Sequence, residues 1–232
     1  MLTQIASLYD PLGLLGSVIV KVKILFQVLW KLQLTWDEPV SIEIYNKWKS
    51  FRDRLEELNN VTFPRQICTV QFTSLQLHGF ADASEVAYGA CLYIRSSNFD
   101  QADKVVLVCS KSRVAPLKKL SLPRLELCAA LLLAQLCQTI VKAFNVPFDK
   151  VVLWSDSTIT LHWINTQPHR LKTFVANRVA VIQKISVQIE WRHIASHDNP
   201  ADLVSRGLFP TDLIDNLLWI RGPRWLAEQE HN

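Results

Sequence analysis

Four carboxylates in this sequence stand where acidic chemistry is usually housed. Asp82 closes an alternating apolar run through Leu75, Leu77, Gly79 and Phe80, and Asp156 closes a short apolar run that begins at Lys150. Glu126 falls in the first turns of a long apolar helical stretch, inside Leu122-Pro-Arg-Leu-Glu-Leu-Cys-Ala-Ala. Asp202 opens a last helical stretch in Asn199-Pro-Ala-Asp. If the runs ending at Asp82 and Asp156 form adjacent parallel strands, both carboxylates lie at one carboxyl edge of a sheet, at its switch point. Three or four carboxylates at one point repel one another unless a cation lies between them. Hard oxygen donors with room for water suit Mg²⁺, with Mn²⁺ as a substitute. Two such ions about 4 Å apart clamp an in-line attack on a phosphodiester. Taken singly, each residue has an ordinary explanation: a strand-terminal Asp caps a loop, and an acid near a helix start complements the helix dipole. The chemical reading rests on their joint order.

Positioning these groups requires strands and helices in a set order. The first sixty residues read as helical, with Leu14, Ile19, Leu25, Val28, Leu29 and Leu32 at apolar positions. Trp36-Asp37-Glu38-Pro39 is expected to open a second helix with Asp37 as its N-cap, carrying Ile44, Trp48, Phe51 and Leu55. From Thr73 the period changes to two. Strands are expected up to Asp82, over 87–95 and over 105–112, with 96–103 as a polar loop. Pro123 starts a long helix that ends near Asn145. Then come a strand from Lys150 to Ser155, helices over 157–165 and about 172–184, a strand over 187–193 and a helix from Pro200. This βββαβααβα order implies an α/β fold, a five-stranded mixed sheet flanked by helices, with right-handed crossovers to the later strands and a helical N-terminal appendage.

Composition narrows the class without deciding it. A chain of 232 residues fits one large domain or one with an appendage, and buries roughly 70% of its unfolded surface. With 49% apolar and 20% charged residues, it is not a disordered tail. A net charge of +4 permits a polyanionic partner but does not demand one. The five cysteines (Cys68, Cys91, Cys109, Cys128, Cys137) form no Cys-x-x-Cys pair and sit in apolar stretches, which points to a reducing compartment. No membrane span is expected: 17–30 is interrupted by Lys21 and Lys23, and 127–141 is short and contains Gln135 and Gln138.

Several segments together resemble a known family. Phe80-Ala-Asp-Ala-Ser-Glu-Val-Ala-Tyr-Gly-Ala-Cys-Leu resembles the first catalytic segment of retroelement ribonucleases H. Leu122-Pro-Arg-Leu-Glu-Leu resembles their glutamate helix, Leu153-Trp-Ser-Asp-Ser their second-aspartate strand, and Asn199-Pro-Ala-Asp-Leu-Val-Ser-Arg-Gly their carboxyl-terminal element. Together with Asp10-Pro-Leu-Gly, the wording is most similar to the polymerase polyprotein of BEL/Pao retrotransposons. The resemblance implies a ribonuclease H-like domain over 66–208, a thumb- or connection-like helical segment over 1–65 and a helical tail over 209–232. It implies that Asp82 bridges two Mg²⁺ ions, that Glu126 and Asp156 complete one metal site, and that Asp202 holds the other. Relatives place a histidine in the loop before the last aspartate; His197 fits that loop better than His193, which is expected to end a strand.

The implied substrate is an RNA–DNA hybrid, the implied partner is the polymerase portion of the parent polyprotein, and the implied location is cytoplasmic, within retroelement particles, or nuclear. Lys111, Arg113, Lys118, Lys119 and Arg124 form a basic stretch without an acid, suited either to hybrid phosphates or to a solvated loop. Trp163, His162 and Trp191 suit core packing more than base stacking. Other classes fit less well. An aspartic peptidase needs Asp-Thr/Ser-Gly, and Asp156-Ser157-Thr158 lacks the glycine. An integrase lacks the Asn-Pro-Ala-Asp element. A catalytically inactive nucleic-acid-binding remnant would be marked by loss of a carboxylate, and none is missing. There is no Tyr-x-Asp-Asp run, so DNA polymerisation is not expected.

Overall fold

A computed structural model describes residues 8–35, 38–69, 71–98 and 101–228. The central strand, β1 (Ser74–Ala83), is buried at nearly every position, which an alternating amphipathic pattern alone would not produce. Its neighbours explain why. It pairs antiparallel with β2 (Ala87–Asn98) and parallel with β4 (Lys150–Ser155). β3 (Gln101–Val114) lies antiparallel beyond β2, and β5 (Glu190–His193) parallel beyond β4, giving the order β3-β2-β1-β4-β5. The mixed five-stranded sheet expected from the sequence is therefore present, with helices on both faces.

The first face is covered by α3 (Leu122–Ala143), which Pro123 starts within its first two positions. Leu125, Ala129, Leu132, Leu133 and Cys137 pack on Leu75, Leu77, Ala90 and Leu92 of the sheet. Gly79 lets this helix settle: a Cβ there would stand 2.6 Å from Leu133 and 2.7 Å from both Leu92 and Leu153. The other side of α3 packs Leu127, Ala130 and Ala134 against Ile164 of α4 (Thr158–Ile164) and Val175, Val179 and Ile182 of α5 (Thr173–Ile185). Sandwiched between two layers, α3 is apolar around most of its circumference. By length and composition it is the one helix among the described residues that could cross a membrane.

The second face joins the two ends of the chain. Val18 and Val22 of α1 (Gly16–Lys31) and Trp48 and Phe51 of α2 (Ile42–Arg52) share one core with Phe80, Cys91, Tyr93 and Leu107 of the sheet. Val204 of α6 (Asp202–Arg206), Leu213 of α7 (Pro210–Leu213) and Trp219 of α8 (Leu217–Arg221) complete it. The fully buried Trp219 donates its indole N–H to the Leu14 carbonyl at 2.8 Å, and its own carbonyl accepts the Tyr93 hydroxyl at 2.6 Å.

The Asp10-Pro-Leu-Gly turn is a docking device. The Asp10 carboxylate accepts the Leu14 and Leu15 N–H groups at 2.8 and 2.9 Å, satisfying donors at the start of α1. The Leu12 carbonyl then accepts the Ser110 N–H at 2.9 Å, covering part of the exposed edge of β3. Gly13 makes the turn at φ 74°, so close to the strand that a Cβ would lie 2.0 Å from the Ser110 carbonyl oxygen.

Two local expectations are corrected. Positions 96–103 are not a polar loop: β2 runs to Asn98 and β3 begins at Gln101, because Arg95 and Asp103 form a buried ion pair that zips the hairpin. The second helix starts at Ile42, where the Ser41 hydroxyl accepts the Ile44 N–H; Asp37 lies outside the described residues. Replacing Gly13 by Ala forces a left-handed backbone on a residue with a Cβ and drives it into β3. Gly13→Ala is expected to lose about 2–4 kcal/mol in urea unfolding, with hydrogen exchange rising first at the Ser110 amide.

Candidate metal centre

Parallel pairing of β1 with β4 sets the geometry of the site. Ala81 stands opposite Ser155, so Asp82 and Asp156 are the next residues on two neighbouring strands, at the same carboxyl edge. The start of α3 crosses this edge and brings in Glu126. One carboxylate oxygen from each of Asp82, Glu126 and Asp156 lies within 4.8 Å of the others. Asp82 and Glu126 are buried and Asp156 is half-buried.

Such packing disfavours the ionised forms. Burial pushes the Asp82 carboxyl up to about 7; the Ser205 hydroxyl that donates to its Oδ2 opposes the rise, while Asp156 and Asp202 add to it. Burial pushes Glu126 up to about 9, with Asp82 and Asp156 adding to the effect and a hydrogen bond to the Ala83 backbone opposing it. Glu126 Oε2 and Asp156 Oδ1 are buried without a hydrogen-bond partner. An unsatisfied buried acceptor costs about 1–3 kcal/mol, more if charged. A hard divalent cation would satisfy both oxygens and remove the repulsion, so the all-oxygen donor set fits Mg²⁺ or Mn²⁺.

The element Asn199–Gly207 builds the other wall. The buried Asn199 amide donates to the Ala81 carbonyl at 3.1 Å, and its oxygen accepts the Ala201 N–H at 3.1 Å, tying this segment to β1 just before Asp82. Asp202 opens α6 at the edge of the site, close enough to raise the Asp82 carboxyl, yet it falls outside the tight cluster; its Oδ1 accepts the Arg206 Nε. Ser196, in the short turn Ser196–Asp198, donates to Asp156 Oδ2 at 2.7 Å. His197 follows directly, exposed and 3.5 Å from the Asp198 carboxylate. His193 ends β5, opposite Ser155.

Sequence reasoning assigned no role to Ser196, Asn199, Ser205 or Arg206. The signal was present for three of them, as the Asn, Ser and Arg of the Asn199–Gly207 wording. Ser196 had none, because only folding brings it to Asp156. The basic stretch divides three ways. Register aligns Asp82 with Gly89 and Ser112, so the exposed Lys111 and Arg113 straddle the same end of the sheet on β3. Lys118 and Lys119 are exposed on the connection to α3. Arg124 lies in the first turn of α3, with its guanidinium 5.1 Å from the Phe174 ring centroid; Arg178 lies 3.6 Å from the same centroid. Trp163 and Trp191 are partly buried against the α3–α5 core, as expected, whereas His162 is exposed.

The upward shifts have a consequence for the metal-free protein. Asp82 and Glu126 ionise near 3.8 and 4.5 when unperturbed, but near 7 and 9 in the fold, so raising the pH ionises the unfolded chain first. Metal-free Tm is expected to fall as the pH rises from about 5 to about 9, and Mg²⁺ to flatten that slope. Glu126→Gln should raise the metal-free Tm at the alkaline end, by about 2–4 °C per kcal/mol recovered, and weaken the response to Mg²⁺. Differential scanning calorimetry checks both; a metal-free Tm that climbs over this interval contradicts the account.

No curated protein matches the chain. Similar solved structures include the N-terminal RNase H domain of Rv2228c from Mycobacterium tuberculosis, as a fusion with maltose-binding protein. It is 12% identical over 61% of this chain and 95% of that one, with a TM-score of 0.39. LC11-RNase H1, in complex with an RNA/DNA hybrid, is 11% identical over 60% and 99%, with a TM-score of 0.39. The foamy viral protease-reverse transcriptase, in complex with an RNA/DNA hybrid, is 12% identical over 66% and 21%, with a TM-score of 0.34. A family sequence model matches residues 1–157, a span that includes Asp82, Glu126 and Asp156, and by that match the chain belongs to the Pao retrotransposon-like RNaseH-like domain family.

Proposed function

We propose that this chain is a retroelement ribonuclease H that hydrolyses the RNA strand of RNA–DNA hybrids with two Mg²⁺ ions. The observation that carries the proposal is the pair of buried, unpartnered oxygens, Glu126 Oε2 and Asp156 Oδ1, at the convergence of three carboxylates. Asp82, Glu126 and Asp156 would hold one ion, and Asp82 with Asp202 the other. Bound there, the ions would supply an activated water and charge stabilisation at the scissile phosphate. The chain's own contributions surround them. Ser205 orients Asp82, Ser196 orients Asp156, and Asn199 holds the last segment against β1. His197, exposed beside Ser196, would assist water or product at the mouth of the site.

Lys111, Arg113, Lys118 and Lys119 would meet hybrid phosphates, with salt-dependent affinity, and Arg124 would do so only from its stacked position on Phe174. Discrimination of RNA from DNA would rest on 2′-hydroxyl contacts and A-like shape. The polymerase portion of a parent polyprotein is the partner we expect to present the hybrid. Peptidase chemistry is disfavoured by a specific contact: Ser157, which follows Asp156, caps α4 by accepting the Thr160 N–H at 3.3 Å, so the segment enters a helix rather than a glycine turn.

The test is cleavage of a hybrid labelled on each strand, in Mg²⁺ and in Mn²⁺. Cutting of the RNA strand alone is expected, leaving 5′-phosphate and 3′-hydroxyl ends, with a loss of at least about a hundredfold in Asp82→Asn and Asp156→Asn. A folded wild-type chain that cuts in neither metal, even with a polymerase domain added, would instead identify a nucleic-acid-binding remnant. Cleavage that survives both substitutions would put the chemistry elsewhere.

A further inference from the structure

Arg206 stands four residues after Asp202 on α6, and its Nε donates to Asp202 Oδ1. Exposed pairs of this spacing usually contribute little. Two features set this one apart. First, the carboxylate it holds is the one of the four that stays outside the tight cluster. Second, its charge reaches the cluster itself: Arg206 opposes the upward shifts of Asp82 and Glu126, and Asp82 and Asp156 in turn favour its charged form. The neighbouring Ser205 hydroxyl has its one hydrogen within reach of both Asp82 Oδ2 and, at 3.0 Å, the Asp202 carbonyl. The helix that carries the pair is thereby pinned to the end of β1.

We propose that Arg206 is a positioning residue that acts as the resident counter-cation of Asp202, so that a second divalent ion binding this carboxylate must compete with the guanidinium held at Oδ1. This rests on the two-ion site proposed above and adds an order of loading to it. The first ion goes to Asp82, Glu126 and Asp156, where Glu126 Oε2 and Asp156 Oδ1 lack hydrogen-bond partners. The second must compete with a hydrogen-bonded cation and binds more weakly. Until it does, Arg206 keeps Asp202 from adding its full repulsion to a site that already crowds three carboxylates.

The experiment is a titration of the full chain with Mn²⁺ alone, followed by electron paramagnetic resonance and calorimetry without nucleic acid. Wild type is expected to bind one ion tightly and a second weakly. Arg206→Gln should tighten the weak site by about fivefold, the upper end for release of an exposed ion pair, and change the tight site less. Arg206→Lys, which keeps the charge but loses the guanidinium Nε, should fall between. Asp202→Asn should leave only the tight site, and adding Arg206→Gln to it should restore nothing. A weak site unchanged in Arg206→Gln overturns the proposal, and so does equal tightening of both sites, which would mean a diffuse charge effect. If wild type lacks even the tight site, the metal reading fails as well, and that outcome is distinct from failure of the ordering alone.

Discussion

Like-charge repulsion in a poorly hydrated place is the constraint to which the rest of this structure answers. Three carboxyl groups with oxygens within 4.8 Å of one another resist being held together, and two of them are buried. Protonation relieves the repulsion by removing charge, and a divalent cation would relieve it while leaving the carboxylates ionised. Until a cation arrives, the scaffold must hold the groups against their own field. Asp82 therefore sits on a strand buried at nearly every position, Glu126 on a helix packed on two sides, and Asp156 directly after β4, which pairs in register with β1.

That demand explains why both ends of the chain are needed. A sheet covered on one face would leave Phe80, Cys91, Tyr93 and Leu107 exposed, and a central strand wet on one side would not position Asp82 firmly. Here α1 and α2 supply half of the covering layer and the segment from Asp202 to Leu226 supplies the other half. The two halves are bonded to each other, through Trp219 to Leu14 and through the Leu208 N–H to the Ser17 carbonyl at 2.8 Å. The helical N-terminal segment is thus a structural layer beneath the site as well as a lead-in to the sheet.

Much of this was legible in the sequence, and the exceptions have physical causes. The order of strands and helices could be read because period two and period 3.6 separate cleanly at Thr73 and Pro123. The convergence of Asp82, Glu126 and Asp156 followed once two strands were taken as parallel neighbours. The 96–103 hairpin was not legible, because its polar residues mimic a loop; the Arg95–Asp103 pair that makes it a strand is a cross-strand contact with no sequence period. The docking role of Asp10–Gly13 was likewise hidden, since its partner Ser110 lies about a hundred residues away in the chain. Ser196 was missed for the same reason, since its hydroxyl matters through Asp156, which no local pattern connects to it; the Ser205 wording was visible, but not its bond to Asp82.

Exposure rises in steps around the site, and the steps give it a direction. Asp82 and Glu126 are closed off by β2 and α3, Asp156 is half-open, and the Asp202 side chain is 36% exposed beside Arg206 at 67%. Among the described residues, Ser196, His197, Asp202 and Arg206 form one solvent-facing side of the site. On the proposed reading, a ligand approaching across that side would pass a histidine and a guanidinium, with the two most buried carboxyls behind them. This asymmetry assigns the groups different tasks. The enclosed pair on β1 and α3 is held rigidly enough to define where a cation sits. On the proposed reading, the exposed pair on the five-residue helix α6 would exchange partners as charge arrives. A site closed on all sides could bind its metal but would admit no polymer; one open on all sides would leave its carboxylates hydrated and apart.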